Sequence, residues 1–382
     1  MEFSYVNHTQ IHFGKGQIAS IKNSISPNDK VLFMYGGGSI KKNGVYQEVV
    51  DALSDHAWVE FSGVEPNPTM ETLDKAVALV KQEGVNFILA VGGGSVIDGS
   101  KYVAAASLYD GAGWDILEGK HSPKSALPIG AILTLPATGS ESNPAAVITR
   151  AATQEKLSFY NPIVRPTFAV LDAHVMKTLP ERQLANGLVD AWVHVCEQYI
   201  TYPTGAMVQD GYAETLLKNL LILAKDFDNR DNDAWRENLM WTANQALNGL
   251  ISVGVPQDWA THMIGHEFTA LYGVDHARSL TLVQPSLLRH QIEAKRGKLE
   301  QMGKNVFALN DSETLAEQTI DAIEHFYQSL NLETRFKPEG EDKTNSIERL
   351  MAQIEAHGLT AIGENQALGL KEIREILNAV IL

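Results

Sequence analysis

Asp190 and His194, four residues apart in NGLVDAWVHVCEQY, are followed by His262, His266 and His276 in ATHMIGHEFTALYGVDHARS. Residues at i and i+4 share a helix face, so the Asp190 carboxylate and the His194 imidazole can converge on one point. One carboxylate with three imidazoles suits a borderline divalent cation such as Zn²⁺ or Fe²⁺. His262 and His266 also stand at i and i+4, and on spacing alone either could complete the set with His276. The sequence GHE is not HExxH, so a metalloprotease with a glutamate base is excluded. An isolated Asp/His pair on a helix is usually a satisfied core or surface pair. The two further histidines shift the reading toward a metal site that assists redox chemistry.

The segments before that set read as alternating strands and helices. Apolar runs at 31–35 (VLFMY), 58–61, 87–91 (FILAV), 129–135 and 168–171 are strand candidates. Helical spacing occupies 44–53, 70–84 and 96–108, with Gly84 as a C-cap. Such alternation predicts a parallel sheet with helices on both faces. From Glu181 onward the pattern changes to long amphipathic helices, at 206–224, 234–250, 259–271 and 312–330, with almost no strand-like runs. The expectation is an α/β domain over 1–180 and an all-helical domain over 181–382, with a cleft between them. The metal set would lie in the second.

Two glycine turns dominate the first half. VGGGSVID places Gly92, Gly93, Gly94 and Ser95 between a buried strand and a helix, with Asp98 one turn further on. Backbone amides exposed by such a turn, at a helix N-terminus, suit a phosphate. It is neither GxGxxG nor a Walker loop, because no GK[ST] follows. YGGGSIKK repeats the pattern at Gly36, Gly37, Gly38 and Ser39, followed by Lys41 and Lys42. Dinucleotide folds often use an acidic residue after a strand to grip ribose hydroxyls. Glycines and a serine here leave room and donors for a 2′-phosphate, so the turn predicts NADP rather than NAD. LTLPATGSESNPAAV adds Thr134, Thr138 and Asn143 in a hydroxyl-rich loop, and EPNP adds Asn67. Lys156, in QEKLSFYNP, reads by itself as a solvated lysine.

Composition narrows the field. Over 382 residues, 31 basic against 46 acidic side chains give a net charge of −15. No Lys/Arg block stands out, which argues against nucleic acid and anionic membrane surfaces as partners. Cys196 is the single cysteine, so no disulfide framework and no CxxC metal site can form. It reads as a small buried helix residue. The N-terminal MEFSYVNHTQIHFGKG lacks a basic stretch followed by an apolar core, and no apolar run reaches the length of a membrane span. A soluble cytoplasmic protein is the expectation.

These motifs together resemble the iron-containing (group III) alcohol dehydrogenases, in the branch of NADP-dependent butanol dehydrogenases and broad-range aldehyde reductases. The resemblance runs through FGKG, YGGGS, EPNP, AVGGGSVIDGSK, TLPATGSESN, LANGLVDAWVH, NGLISVGVPQDWATHMIGHE and DHA. It implies a Rossmann-like dinucleotide-binding domain followed by an all-α metal-binding domain, the dehydroquinate synthase-like fold. It also implies Asp190, His194, His262 and His276 as ligands of Fe²⁺ or Zn²⁺, and places His266 beside the nicotinamide as the candidate catalytic side chain. A ribose hydroxyl or water are the other routes for the proton. Gly36–Ser39, Asn67, Gly92–Ser95, Asp98, Thr134, Thr138, Asn143 and Lys156 become contacts of NADP(H). NAD-using members commonly carry an aspartate near Gly37, and this chain departs from them there. The implied reaction is hydride transfer between NADPH and a small aldehyde or primary alcohol, in a homodimer joined through the N-terminal strand, Phe3–Phe13. The competing readings are an NAD-dependent polyol dehydrogenase or a dehydroquinate synthase-like lyase, a non-catalytic nucleotide or metal binder, and a structural metal site closed by Cys196 or Glu267.

Overall fold

The computed structural model describes all 382 residues. Its contacts divide the chain into two compact units, Val6–Leu184 with Asn229–Asn244, and Met1–Tyr5 with Ala185–Asp228 and Gln245–Leu382. The grouping is therefore not a single cut in the sequence. Asn229–Asn244 joins the α/β unit through the ion pairs Arg230–Glu181 and Lys177–Asp233 and the edge-on contact of Trp241 with Phe13.

The α/β unit runs β1 (Gln10–Phe13), α1 (Ile21–Ser24), β2 (Lys30–Tyr35), α2 (Val45–Ala52), β3 (Ala57–Phe61), α3 (Met70–Glu83), β4 (Phe87–Gly92) and α4 (Gly94–Ala106). It continues through α5 (Trp114–Leu117), β5 (Ile129–Leu133), the hairpin β6 (Ala145–Arg150) and β7 (Glu155–Tyr160), and β8 (Phe168–Leu171). Six strands form one parallel sheet in the order β1-β8-β5-β4-β2-β3. Strands β2 and β4 are buried almost throughout, as expected where helices cover both faces. Helix α3 starts on the Thr69 hydroxyl, which accepts from Thr72 N, and stops at Gly84 with φ 64°. That is the glycine C-cap expected from the sequence.

Two expectations need correction here. The N-terminal strand is Gln10–Phe13 rather than Phe3–Phe13. Its partner β8 is only four residues long, so the ladder ends at Gln10 opposite Phe168. Upstream, the chain is held by side chains instead: Asn7 Nδ2 donates to Ser142 O at 3.0 Å and Thr9 Oγ1 to Pro166 O at 2.7 Å. The loop after β5 also leads into the β6–β7 hairpin, which the sequence did not suggest. Its apolar positions are split between helix α4 and solvent, so neither strand shows a clean alternation. The hairpin covers α4, which is consequently buried on nearly all sides.

The helical unit holds most of α6 (Glu181–Tyr199), α7 (Met207–Lys225), and the last residues of α8 (Asp233–Ala246). It then runs α9 (Ala260–Tyr272), α10 (His276–His290), α11 (Ile292–Asn305), α12 (Leu315–Ser329), α13 (Lys343–Ala356), the two-residue strands β9 (Ala361–Ile362) and β10 (Leu368–Gly369), and α14 (Leu370–Val380). Helix α8 stops four residues short of the expected Leu250, where Gly249 takes φ 94° and Asn248 Oδ1 accepts from Leu250 N. Helices α9, α10, α13 and α14 share one apolar core built on Phe268, Val283, Leu350 and Ile376. No helix is long and apolar enough to cross a membrane.

Candidate metal centre and cofactor cradle

Helix α6 carries a polar stripe along an otherwise apolar, buried rod. Asn186, Asp190, His194 and Gln198 stand four residues apart and therefore in line. Asn186 Nδ2 donates to Asp275 Oδ2 at 3.0 Å, which ties α6 to the residue that begins α10. Gln198 Nε2 donates to the carbonyls of His194 and Ala246. Between these anchors, Asp190, His194 and His262 bring ligand atoms within 4.8 Å of one another, all three buried. His194 Nδ1 lies 3.8 Å from Asp190 Oδ2, and His262 Nε2 lies 4.0 Å from Oδ1. His276, the first residue of α10, adds Nε2 at 3.4 Å from Oδ1. The geometry thus brings His262 rather than His266 to the carboxylate. The His266 ring sits alongside, with centroids 5.1 Å from His276 and 6.1 Å from His262.

The donor set fits a divalent cation. Asp190 is only 2 % exposed, and its Oδ1 accepts no hydrogen bond. A buried carboxylate facing neutral imidazoles is costly unless a positive charge joins it. His262 is oriented for that role: its Nδ1 hydrogen bonds to Glu197 Oε2, which leaves Nε2 with its lone pair toward Asp190. Glu197 also accepts from Thr261 N at 2.6 Å. Glu197 was missed from sequence, although it stands three residues after His194 and so near the same face. The two groups suspected of closing a structural site are engaged elsewhere. Glu267 binds His357 Nδ1 and Gln353 Nε2 on α13, and Cys196 is a buried thiol outside the cluster whose ionisation burial opposes.

The α/β unit gathers the glycine turns. From β2 the chain moves outward to the edge strand β3, then returns to place β4 on the other side of β2. The direction of winding therefore reverses between β2 and β4. In open α/β sheets such a switch point, at the carboxyl ends of the strands, is where ligands bind. Tyr35 and Val91 are register partners, so the turns Gly36–Ser39 and Gly92–Ser95 leave the sheet side by side. Thr134 N donates to Gly92 O at 3.0 Å and carries the loop after β5 to the same edge. Helix α4 starts at Gly94, against which Thr138 packs. A Cβ there would lie 2.6 Å from Thr138 Oγ1. Asn67, with φ 57°, accepts from Lys156 Nζ at 2.9 Å, so two residues far apart in sequence arrive as a pair.

Asp98 and Asn143, expected among the cofactor contacts, also brace the 138–147 loop, Asp98 with part of its side chain still exposed. The Asp98 carboxylate accepts from Ser140 Oγ and from Val147 N at 2.9 Å. Asn143 is 5 % exposed; its amide donates to Thr138 O, and its Oδ1 accepts from Ala145 N and Lys101 Nζ. Fully buried Lys101 completes this arrangement, donating at 2.6 Å to Ser140 Oγ and to Ala145 O. Both residues shape the 138–147 loop from behind because Lys101 needs acceptors there. Lys41 is likewise occupied: its ammonium is 2.9 Å from Glu60 and 4.7 Å above the Tyr46 ring. Lys42 and Ser39 are exposed.

Two family models match the chain, "Iron-containing alcohol dehydrogenase" over residues 8–173 and "Fe-containing alcohol dehydrogenase family, C-terminal" over residues 184–381. The NADPH-dependent aldehyde reductase YqhD of Escherichia coli is 47 % identical, covering 99 % of each chain. The probable NADH-dependent butanol dehydrogenase 1 of Bacillus subtilis is 37 % identical, again over 99 % of each. The solved substrate- and cofactor-free form of the E. coli aldehyde reductase superposes with a TM-score of 0.92 at 44 % identity, covering 100 % of both chains.

Proposed function

Because the chain belongs to the iron-containing alcohol dehydrogenase family, we propose that it is a metal-dependent, NADP(H)-linked alcohol dehydrogenase acting chiefly as a reductase of small aldehydes. The observation that carries the reading is the buried Asp190 carboxylate ringed by His194, His262 and His276, in a chain that also presents two glycine turns at a sheet switch point. Asp190, His194, His262 and His276 hold Fe²⁺ or Zn²⁺. Gly36–Ser39, Gly92–Ser95, Asn67, Thr134, Thr138 and Lys156 hold NADP(H). Family membership and the aldehyde reductase relative favour this reaction over a polyol dehydrogenase or a lyase. The residues divide into an α/β cofactor domain and a helical metal domain meeting near residue 180.

When bound, the ion supplies a Lewis acid for the carbonyl oxygen and the nicotinamide carries the hydride. The chain's own residues do the rest. Asp190 is the one fixed negative charge among the ligands, so three neutral imidazoles leave the loaded site net positive, which suits a developing alkoxide. Glu197 fixes the His262 tautomer. The α4 N-terminus and the glycine amides present donors and a positive dipole end to the diphosphate. His266, partly exposed beside the ligand rings, would hold a proton for the substrate oxygen. Trp259, edge-on to His262 at 5.2 Å, provides an apolar wall that keeps water from the ligands.

The enzyme works as a cytoplasmic homodimer. Edge strand β1 has a neighbour only in β8, and Met1, Phe3, Tyr5, Val6 and Phe13 are exposed apolar side chains on the same N-terminal segment. An open strand edge with apolar flanks favours pairing with a second copy.

The test is NADPH oxidation with butanal by anaerobically purified protein, after chelation and after adding back Fe²⁺ or Zn²⁺, with NADH in parallel. Turnover that returns with metal and prefers NADPH is expected. Absence of turnover with either ion would overturn the assignment to this substrate range.

A further inference from the structure

Trp259 is the one large aromatic residue in the left-handed region, with φ 67° and ψ 2°. A bulky side chain is strained there, and persists only where surrounding contacts over-determine it. It is also the residue on which α9 begins, three positions before His262, and its ring lies 5.2 Å from the His262 ring and 6.1 Å from that of His194. The strain therefore sits where the chain turns into a helix carrying a proposed ligand.

The contacts that enforce it lead to a buried lysine. Asp258 Oδ1 caps the new helix by accepting from Ala260 N at 2.9 Å, while Asp258 N donates to Glu197 O at 2.9 Å. Its other oxygen, Oδ2, accepts from Lys295 Nζ at 2.6 Å. Lys295, on α11, is 5 % exposed, and its remaining ammonium hydrogens go to Ile200 O at 2.8 Å and Glu364 Oε2 at 3.1 Å. Three donors thus meet three acceptors, one on the segment after α6, one before α9 and one between β9 and β10. Nothing in the Asp190 cluster touches Lys295 directly.

We infer that Lys295 is a positioning residue for the metal centre: through Asp258 it locks the first turn of α9, and with it the strained Trp259 and the aim of His262. The inference rests on the proposed metal site. Without the ammonium, the buried Asp258 carboxylate and the largely covered Glu364 lose the cation they share. Asp258 then turns away from Ala260 N, Trp259 relaxes toward negative φ, and His262 rotates off the shared point while Glu197 still holds its Nδ1. A loosened ligand shows first as faster loss of the ion, since residues behind the ligands set metal affinity over about 10- to 100-fold.

The experiment measures release of Fe²⁺ or Zn²⁺ from full-length loaded protein to a chelator, at a temperature far below unfolding. Variants are Lys295→Met, Lys295→Arg and Asp258→Asn. Lys298→Met, on the same helix, is the matched control, because Lys298 is also buried but pairs with Asp210, away from the cluster. Lys295→Met and Asp258→Asn should release the ion roughly tenfold faster or more. Lys295→Arg should recover part of the loss, and Lys298→Met should lower the melting temperature yet release metal at the wild-type rate. Equal release from Lys295→Met and Lys298→Met would overturn the inference while leaving the metal site intact. If Lys295→Met fails to fold, Asp258→Asn decides: it removes the charge that pairs with Lys295, and release at the wild-type rate from it would overturn the inference. Failure of the wild-type protein to bind either ion would overturn both readings.

Discussion

Replacing Lys101 by methionine isolates the energetics of the loop behind the cofactor cradle. Lys101 has no exposed surface, and burial pulls its ammonium from 10.5 down to about 8, with Asp98 and Glu141 opposing the shift. Between those two pH values the unfolded chain carries a proton that the folded chain has lost. Stability therefore rises with pH across this window. A gap of two to three units corresponds to about 3 kcal/mol at full extent. Roughly 2 kcal/mol of that is recovered between pH 7.5 and pH 10, because the unfolded lysine is still partly protonated at the upper limit.

The methionine variant keeps the volume but lacks the titration, so the stability difference between wild type and variant must itself change with pH. Tyrosines whose ionisation is pushed up, such as Tyr102 and Tyr199, destabilise both proteins alike at alkaline pH and cancel. The assay is paired thermal unfolding at pH 7.5, 8.5, 9.25 and 10. The wild-type melting temperature should gain on the variant by roughly 4–8 °C across the series, at about 2–4 °C per kcal/mol for a unit of this size. At pH 7.5 the variant is penalised by the three hydrogen bonds it loses, to Ser140 Oγ, Ala145 O and Asn143 Oδ1, the last of which keeps a donor in Ala145 N. A melting difference that stays flat with pH would refute the reasoning, for it would mean that Lys101 keeps an ordinary ammonium inside the fold.

Gly94→Ala should weaken NADPH binding, since the new methyl would lie 2.6 and 2.7 Å from Thr138 Oγ1 and Cγ2. Overpacking of this kind costs about 1–3 kcal/mol, and adding Thr138→Ala, which removes both atoms, should restore part of the fold stability; an equally unstable double variant would count against the contact. Gly37→Asp meets open space, so it should fold normally yet place a carboxylate where a 2′-phosphate is expected. The NADPH/NADH ratio of kcat/KM should then fall at least ~10-fold, as like-charge contacts cost more than the 1.4 kcal/mol per decade, and an unchanged ratio would remove Gly37 from the cofactor turn.

The parts of this molecule legible in its sequence are those set by local rules. Strands β2, β4 and β8 and helix α3 follow apolar runs and a glycine cap, and their bounds lie within a residue or two of the expected ones. The D-x₃-H and H-x₃-H spacings likewise identify helix faces. What spacing could not decide was which of His262 and His266 meets Asp190. That choice depends on how α9 starts, and the groups at its first turn meet across long separations: Glu197 reaches Thr261 over 64 positions and Lys295 reaches Asp258 over 37. The β6–β7 hairpin was hidden for a related reason. Its residues pack on α4, a non-local partner, so their pattern reflects that helix rather than strand periodicity. For Asp98 and Asn143 the sequence suggested ligand contacts, but their bracing of the 138–147 loop beside the buried Lys101 could not be read from any local pattern.

Charge placement unites the two sites more closely than composition does. A net charge of −15 suggests a protein unfavourable to an anionic cofactor, but screening confines surface charge to about 8 Å at physiological ionic strength. Buried charge escapes that limit. In the α/β unit the buried cation Lys101 braces the loop that also carries Thr138 toward Gly94, so a positive centre and helix amides lie on the side from which a diphosphate would be held. In the helical unit three buried acids gather at and beside His262, and the buried lysines pair with Asp258 and Asp210. Asp190, Glu197 and Asp258 are each less than a tenth exposed, and only Asp258 has a lysine partner. The remaining two stand on either side of His262, one beyond each ring nitrogen. An imidazole between two acids with no lysine or arginine against them is stable when a cation joins Asp190 and Glu197 takes the Nδ1 hydrogen.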